Sequence, residues 1–326
     1  MSDLKQKILA LVKDDLLEIE AALEQNLNPY LDLVSKIAGH ILFSGGKRIR
    51  PLLMVLSAKI CGYDGDYDKT FSTIFEYLHA ATLLHDDIVD EATLRRGKPV
   101  AHSIWGSATA VLVGDFLLAR ALSISAETER PDIIKVVAEI TENMSQGEIH
   151  QLMRKGSLEI SEEEYMEIIR RKTAVLFRGA CLVSALIADA TKEEGTALSQ
   201  YGFNLGIAFQ MADDLLDYTL DTSVLGKEVG ADLKEGKLTL PVIYSLKVAD
   251  AKDRNQMEKI ITNRDFSVDD FERLIELMKK YGGQTYTQNL AAEYVKTAKD
   301  ALELFEPSEA REILVMLADY TLARKA

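Results

Sequence analysis

The stretch His85-Asp86-Asp87-Ile88-Val89-Asp90 follows an apolar run and places three carboxylates within five residues. A near copy, Met211-Ala212-Asp213-Asp214-Leu215-Leu216-Asp217, occurs much later in the chain. In a helix, the first and last Asp of each stretch lie one turn apart on one face, and the middle Asp lies about 100° round the helix. These stretches, the first and second acidic motifs, therefore predict two helices that each carry a row of acids along one edge.

Acids placed so closely together need a cation between them. Neighbouring carboxylates repel one another, and charged groups within an apolar helix are costly unless they are paired. Mg²⁺ prefers oxygen ligands and typically takes one or two carboxylates together with phosphate oxygens. If the two acidic motifs face each other, they indicate a magnesium site for a phosphorylated substrate.

The composition narrows the class of protein. The chain has 326 residues, 47% of them hydrophobic, and carries a formal net charge of −14. So acidic a chain argues against nucleic-acid binding, which needs clustered basic residues. Cys61 and Cys181 lie in apolar surroundings and suit a reducing cytoplasm. Residues 1–27 predict an amphipathic helix and not a signal peptide, and with no uncharged apolar run of about 18 residues we expect no membrane span.

Apolar residues recur at three- and four-residue steps along almost the whole chain, which is the periodicity of helices. We predict helices at residues 1–27, 29–43, 51–62, 69–91, 103–128, 131–154, 161–190 and 194–220, with further amphipathic helices after residue 240. The two acidic motifs can share metals only if one bundle brings them together. We therefore predict an all-α fold in which residues 1–326 form a single domain, one large helical bundle with a central cavity.

Basic residues accompany the acidic motifs at turns and loops. They are Lys47, Arg50, Arg95, Arg96, Lys172, Lys227 and Lys237. Acids suit a phosphate held through metal, whereas a second, metal-free diphosphate would need direct Arg and Lys contacts. The helix that leads into the first acidic motif is strongly apolar over residues 71–84. Phosphate sites at the mouth of an apolar channel imply a substrate in which a diphosphate is joined to a hydrocarbon.

These motifs resemble those of the trans-isoprenyl diphosphate synthases, the polyprenyl synthetase family. The matching segments, in the family's order, are residues 45–51 (GGKRIRP), His79, 83–90 (LLHDDIVD), 95–97 (RRG), 114–115 (GD), 172–174 (KTA), 209–217 (FQMADDLLD) and the Gly- and Lys-rich 226–241. The resemblance covers residues 40–245 and implies a bundle of the isoprenoid synthase type. It also implies successive head-to-tail condensation of isopentenyl diphosphate onto an allylic diphosphate.

The resemblance implies a role for each motif residue. About three Mg²⁺ ions would be bound by Asp86, Asp87, Asp90, Asp213, Asp214 and Asp217. The rest of the allylic diphosphate site would be Arg95, Lys172 and Lys237, with Lys227 nearby. Isopentenyl diphosphate would be held by Lys47, Arg50, His79 and Arg96. The carbocation that forms as diphosphate leaves would be bordered by Thr173, Phe209 and Gln210, and no protein nucleophile is required.

Residues one turn before Asp86 bear on product length. Side chains in a helix lean towards its N-terminus, so Ala81 and Thr82 would line the channel just below the metals. A Phe or Tyr there would plug the channel, whereas small residues favour a long product, as in octaprenyl-forming relatives. Larger residues deeper down would form the floor, and the candidates are Leu78 and the helix around residues 136–137.

Other functions remain open from the sequence. A short-chain farnesyl or geranylgeranyl synthase would keep the same motifs, although Ala81 and Thr82 argue against it. A non-catalytic partner subunit would be expected to have lost acids from one motif, and both are complete. A di-iron carboxylate protein would need Glu-x-x-His pairs, and the spacing of Glu148 and His150 is wrong for one.

The resemblance also bears on partners and location. The family usually forms homodimers through apolar helix faces, for which residues 103–128 are suited, and an obligate heteromer stays open. The allylic primer would be farnesyl or geranylgeranyl diphosphate. We expect a cytoplasmic enzyme with at most peripheral membrane contact, where its lipid product is released.

Overall fold

The computed structural model describes residues 2–218, 230–263 and 265–323, so that Lys227 of the predicted site lies outside the described residues. The helices are α1 (Ser2–Leu11), α2 (Lys13–Leu27), α3 (Asp32–Leu42), α4 (Ile49–Ile60), α5 (Tyr67–Val89), α6 (Ala101–Trp105), α7 (Ser107–Ser125), α8 (Pro131–Arg154), α9 (Glu162–Ile169), α10 (Val175–Ile187), α11 (Lys192–Leu216), α12 (Ala231–Lys234), α13 (Leu240–Val248), α14 (Ala251–Thr262), α15 (Val268–Tyr281), α16 (Gly283–Ala301) and α17 (Glu309–Ala323). A π-helical turn, Arg170–Ala174, joins α9 to α10, and a 3₁₀ turn, Leu302–Leu304, follows α16. The predicted all-α class is confirmed.

Three predicted helices are interrupted in the structure. The helix expected over residues 1–27 breaks at Val12, and that over 103–128 breaks at Gly106, whose φ of 84° suits a residue without a Cβ. The helix expected over 161–190 begins with the capping box of Ser161 that its sequence predicts. It then widens into the π-helical turn, and such turns often mark functional sites.

The basic segment after the first acidic motif forms a small hairpin where we expected a loop. Leu94–Arg95 (β1) pairs in antiparallel fashion with Lys98–Pro99 (β2). Arg96 and Gly97 form the turn with φ angles of 52° and 72°. Two positive φ angles match the right-handed twist of the strands that they connect. The hairpin therefore fixes Arg95 and Arg96 relative to the end of α5.

The interior contains two hydrophobic clusters. The larger one fills the space between α1–α8, α10, most of α11 and the C-terminal helices, and the smaller one surrounds α9, the end of α11 and α12–α16. Tyr294 of α16 packs against both clusters. This continuity agrees with a single domain over residues 1–326, which stays a prediction.

Two glycines allow α11 to lie very close to α10. A Cβ at Gly202 would lie 2.6 Å from the backbone oxygen of Phe177, and one at Gly206 would lie 2.7 Å from Cα of Ala174. Real Cβ atoms essentially never approach other atoms so closely. The close packing brings the second acidic motif, one to three turns beyond Gly206, beside the π-helical turn.

A buried arginine holds the loop before α4. The guanidinium of Arg48 donates to Glu76 at 2.7 Å, to Glu20 at 2.6 Å and to the carbonyl of Leu42 at 2.7 Å. Only 5% of Arg48 is exposed, and a buried charge of this kind is tolerated because it is paired and hydrogen-bonded. These bonds fix the Gly-Gly-Lys turn, and with it Lys47.

One described helix, α7, is long and apolar enough to cross a membrane by length and composition alone. The sequence did not predict a membrane span here because Asp115 and Arg120 interrupt the run of uncharged apolar residues. One third of its most apolar window is buried inside the protein, and core helices of soluble proteins pass the same test. Its large exposed residues include Leu112, which is 66% exposed.

Candidate active site

Both acidic motifs lie at the C-terminal ends of long helices. The last acid of each motif, Asp90 in α5 and Asp217 in α11, is the C-cap residue of its helix. The C-terminal end of a helix carries a partial negative charge and attracts cations. The acids and the helix ends therefore favour a cation at the same place.

Two segments link the first acidic motif to α11, the helix that carries the second, and so bring the two motifs together. In the π-helical turn, Lys172 pairs with Asp86 while the neighbouring Thr173 reaches α11. In the segment 230–241, Lys237 pairs with Asp90 while the backbone N–H of Asp232 donates to Asp217 at 3.3 Å. The prediction that the fold assembles the two motifs at one site is therefore consistent with these contacts.

Each acid of the first motif is paired with a basic side chain from another element. Lys172 lies 3.3 Å from Asp86, Arg95 donates to Asp87 at 2.8 Å, and Lys237 donates to Asp90 at 2.7 Å. A fourth cation, Lys155, lies 3.3 Å from the other oxygen of Asp90. Three of these four residues, Arg95, Lys172 and Lys237, belong to the predicted allylic diphosphate site.

The pKa values of Asp86 and Asp90 are shifted in opposite directions. Burial raises the pKa of Asp86, Lys172 opposes that effect, and the nearby Glu148 adds to it, so the pKa lies above its ordinary value. Burial also raises the pKa of Asp90, but Lys237 and then Lys155 outweigh it, and the pKa lies below its ordinary value. The ammonium groups thus keep Asp90 ionised and ready to bind a cation.

The three acids of the second motif occupy different environments. Asp213 is exposed to solvent, whereas Asp214 and Asp217 are buried. Asp214 accepts hydrogen bonds from Tyr165 at 2.6 Å and from the amide of Gln210 at 2.8 Å. Burial, with a contribution from the negative charge of Asp232, raises the pKa of Asp214 to about 8. Asp213 is therefore the member of this motif best placed to meet a soluble ligand.

A chain of hydrogen bonds joins the π-helical turn to the second motif. The hydroxyl of Thr173 donates to the amide oxygen of Gln210 at 2.8 Å, and Gln210 donates in turn to Asp214. Phe209 lies beside this chain, with its ring 5.2 Å from that of Phe177. The three residues expected to border a carbocation, Thr173, Phe209 and Gln210, therefore share one region.

The predicted isopentenyl diphosphate residues belong to a second, electropositive region. Arg50 lies in the first turn of α4, and its guanidinium is 4.9 Å from the ring of Phe177. Burial lowers the pKa of Arg50 to about 10. Burial, followed by the charges of Arg50 and Arg96, lowers the pKa of His79 well below its usual range. A neutral histidine among arginines suits an anionic ligand.

Two further observations point to an anion in this region. The Nε atom of Arg50 is buried without a hydrogen-bond partner among the described residues. Because Lys47 and Arg50 flank the N-terminus of α4, its free N–H groups and partial positive charge add to theirs. Lys47 lies 5.9 Å above the ring of Tyr320, while Arg50 interacts electrostatically with Asp213. The two regions therefore adjoin.

The acids suit Mg²⁺ by their chemistry, but they do not form a ready-made cage. Among the described residues, no three His, Cys, Asp or Glu side chains converge closely enough to hold a metal. Mg²⁺ typically keeps several waters and is bound by one or two carboxylates plus substrate phosphates. The lysine and arginine partners of the first motif show that this place is stabilised by positive charge. The donor set therefore fits a metal that is shared with a phosphate-bearing ligand.

The residues expected to set product length lie beneath the acids. Leu78 and Ala81 have no exposed surface, and the half-buried Thr82 donates its hydroxyl to the carbonyl of His79 at 2.8 Å. Leu78 and Ala81 are thus packed against neighbouring side chains in this structure. The roles of Ala81, Thr82 and Leu78 stay predictions.

Prediction from the sequence missed three residues at the site. Glu148 of α8 pairs with Lys172, Lys155 pairs with Asp90, and Tyr165 of α9 hydrogen-bonds to Asp214. One signal was available for Glu148, because it follows a glycine inside a helix and such a glycine often has a packing reason. A Cβ at Gly147 would lie 2.7 Å from the backbone nitrogen of Lys172.

Proteins of similar sequence show to which family the chain belongs. The family model described as polyprenyl synthetase matches residues 31–278. The chain is 38% identical over 319 residues to octaprenyl diphosphate synthase of Escherichia coli (strain K12), covering 98% of both chains. It is 36% identical over 323 residues to an all-trans-nonaprenyl-diphosphate synthase of Rhodobacter capsulatus, covering 99% of this chain and 98% of the relative.

A solved structure extends the similarity to the fold. A polyprenyl synthase from Caulobacter crescentus CB15, complexed with calcium and isoprenyl diphosphate, aligns with a TM-score of 0.92. It is 39% identical in sequence, and the alignment covers 98% of both chains. By sequence along nearly its whole length and by fold, this chain belongs to the polyprenyl synthetase family.

Proposed function

We propose that this protein is a long-chain trans-polyprenyl diphosphate synthase that condenses isopentenyl diphosphate repeatedly onto an allylic diphosphate. The observation that carries the proposal is the pair of adjoining charged regions. One has acids at two helix ends with basic partners, and the other has arginines and a neutral histidine at a helix N-terminus. Such a pair suits two diphosphates, one held through metal and the other held directly.

The basic residues of the first region bind the allylic diphosphate. Arg95, Lys172 and Lys237 lie within hydrogen-bonding reach of the acids, so each can turn from its carboxylate to a phosphate oxygen. Mg²⁺ on the acids would supply Lewis-acid stabilisation of the leaving diphosphate. Together these charges favour cleavage of the bond between the allylic carbon and oxygen, and the electron pair leaves with the diphosphate.

The hydrogen-bonded chain at the π-helical turn stabilises the resulting allylic cation. Because Thr173 donates to Gln210, the lone pairs of its hydroxyl remain available to face positive charge. The ring face of Phe209 is also attractive to a cation. These groups neither form a bond to the substrate nor take a proton from it.

The second region orients isopentenyl diphosphate for attack. Lys47, Arg50 and Arg96 hold its diphosphate, and the homoallylic double bond then attacks the cation to form the new carbon–carbon bond. A proton must leave to restore a double bond. The departed diphosphate is the base, and Arg95, Lys172 and Lys237 of the first region hold this anion nearby.

Loss of Asp86 should abolish most of the activity and leave the fold intact. Asp86→Ala should lower turnover at least about a hundredfold, because removal of such an electrostatic group costs roughly 3 kcal/mol of transition-state stabilisation. Lys172 would retain Glu148 as its ion-pair partner. Initial rates of isopentenyl incorporation at saturating Mg²⁺, with a thermal melt, measure both effects. Asp132→Ala, at an exposed acid that pairs with Arg130, is the control, and near-normal turnover of Asp86→Ala would contradict the metal assignment.

The products themselves test the proposed function. The purified protein, incubated with farnesyl diphosphate, isopentenyl diphosphate and Mg²⁺, should make products of about octaprenyl length. Reversed-phase chromatography of the dephosphorylated products measures their length. Products that stop at geranylgeranyl length would identify a short-chain synthase, and omission of Mg²⁺ should abolish synthesis. Failure to form any product would favour a non-catalytic partner subunit.

A bulky residue at Ala81 should shorten the product. Ala81→Phe would place a ring one turn below Asp86, where the growing chain must pass, so the product distribution should shift towards geranylgeranyl length. Continued isopentenyl incorporation would show that the variant folds. Ala292→Phe, at an exposed position of α16, should leave product length unchanged. An unchanged distribution of product lengths in Ala81→Phe would show that the growing hydrocarbon does not pass Ala81.

We propose that the protein forms a homodimer through α7 and α8. Large apolar residues on both helices face solvent, including Leu112, 66% exposed, and Met153, 74% exposed. Patches of exposed apolar residues mark interaction sites, and α7 and α8 supply several such residues. Sedimentation velocity at micromolar concentration should give a dimer, and Leu112→Glu combined with Met153→Glu should shift it to a monomer. A monomeric wild type would contradict the proposal.

The location of the enzyme follows from its substrates and product. We propose a cytoplasmic protein that takes up water-soluble isopentenyl diphosphate. A long polyprenyl diphosphate is a lipid, so its release involves at most peripheral contact with a membrane surface.

A further inference from the structure

Lys155 lies next to the first acidic motif but belongs to none of the motifs recognised in the sequence. It is the C-cap residue of α8. Its ammonium is 3.3 Å from Oδ1 of Asp90, and that of Lys237 is 2.7 Å from Oδ2 of the same carboxylate. One carboxylate therefore lies between two lysines that come from segments far apart in the chain.

The two lysines are held together by their backbones. The N–H of Gly156 donates to the carbonyl of Gly236 at 2.7 Å, so the residue after Lys155 is bonded to the residue before Lys237. Both glycines have a positive φ, 79° and 78°, which residues with a Cβ rarely adopt. The backbone conformation of the two glycines therefore allows this contact, and the contact holds the two ammonium groups next to each other.

The charges around Asp90 balance only while its carboxylate is available to the lysines. Lys237 has a second acidic partner, Glu235, at 2.7 Å. With Asp90 and Glu235 facing Lys155 and Lys237, the group of four is neutral. A divalent cation on Asp90 would leave the group with excess positive charge, and the ammonium groups would then need another anion within reach.

Resting on the proposed function, we propose that Lys155 is a further binding residue for the diphosphate of the allylic substrate. With a divalent metal held by Asp90, the ammonium of Lys155 would be free to donate to a phosphate oxygen beside Lys237. Lys155 is 26% exposed at its side chain, and a lysine stem is long and flexible enough for such a turn. The same side chain would thus neutralise the acid before the metal arrives and the diphosphate afterwards.

The test separates metal binding from diphosphate binding. Calorimetry is applied to three variants: Lys155→Gln, Lys155→Arg and the control Lys135→Gln. Each is titrated first with Mg²⁺ alone and then with inorganic diphosphate at saturating Mg²⁺. Lys135 lies on the same helix, is 76% exposed and pairs only weakly, at 3.8 Å, with Glu139. It lies about 30 Å from Lys155 along the helix.

We expect the affinities for Mg²⁺ and for diphosphate to respond differently to Lys155→Gln. Mg²⁺ alone should bind at least as tightly as to the wild type, because a competing ammonium is gone. Inorganic diphosphate should bind about tenfold more weakly, since one charge-assisted hydrogen bond is lost. Lys155→Arg should restore most of this affinity, and Lys135→Gln should match the wild type in both titrations.

Steady-state rates provide a second measurement. In Lys155→Gln, KM for the allylic diphosphate should rise several-fold, with KM for isopentenyl diphosphate changed by less than about twofold. Wild-type diphosphate affinity in Lys155→Gln would overturn the proposal, and equal weakening of Mg²⁺ and diphosphate would show a merely structural role. A wild type that binds diphosphate but makes no product would instead refute the proposed function and leave the binding result standing.

Discussion

Several carboxylates lie at the C-terminal ends of two helices, and the rest of the structure must compensate for their electrostatic repulsion. A helix end of this kind already carries partial negative charge, so the acids of α5 and α11 repel the helix ends as well as each other. The fold meets this cost at α5 with cations from separate elements: the hairpin, the π-helical turn, the end of α8 and the segment 230–241. At α11, Asp214 instead accepts hydrogen bonds from the neutral Tyr165 and Gln210. The same concentration of negative charge attracts cations to this place.

Close backbone packing is the second requirement, since charges act only over short distances in a solvated cleft. Gly202 and Gly206 remove the side chains that would hold α11 away from α10, and Gly147 does the same between α8 and the π-helical turn. Because of the extra residue in the π-helical turn, Lys172 and Thr173 contact different helices. Lys172 pairs with Asp86 of α5, and Thr173 donates to Gln210 of α11. The same few residues therefore provide both the close packing and the polar contacts of the site.

The sequence predicted those parts of the site that are encoded locally. The spacing of the acids and the helical period placed both motifs near helix ends, and the capping box of Ser161 was visible because its two residues are three apart. The π-helical turn was not predictable, since its residues differ little in helix propensity from their neighbours. Lys155 escaped notice for a different reason: its relation to Asp90 depends on how two distant loops pack. Long-range pairs of this kind leave no local pattern.

Under the proposed function, the balance of charge in the first region also couples the binding of metal and diphosphate. A metal that takes Asp86, Asp87 or Asp90 leaves a lysine or arginine without its partner, and a diphosphate that takes the cation leaves a carboxylate without its partner. Either ligand alone thus exposes an uncompensated charge, which is costly where the groups are partly buried. When both bind, each group exchanges one opposite charge for another. Linkage then requires the coupling to be reciprocal: Mg²⁺ raises the affinity for diphosphate by the same factor as diphosphate raises that for Mg²⁺.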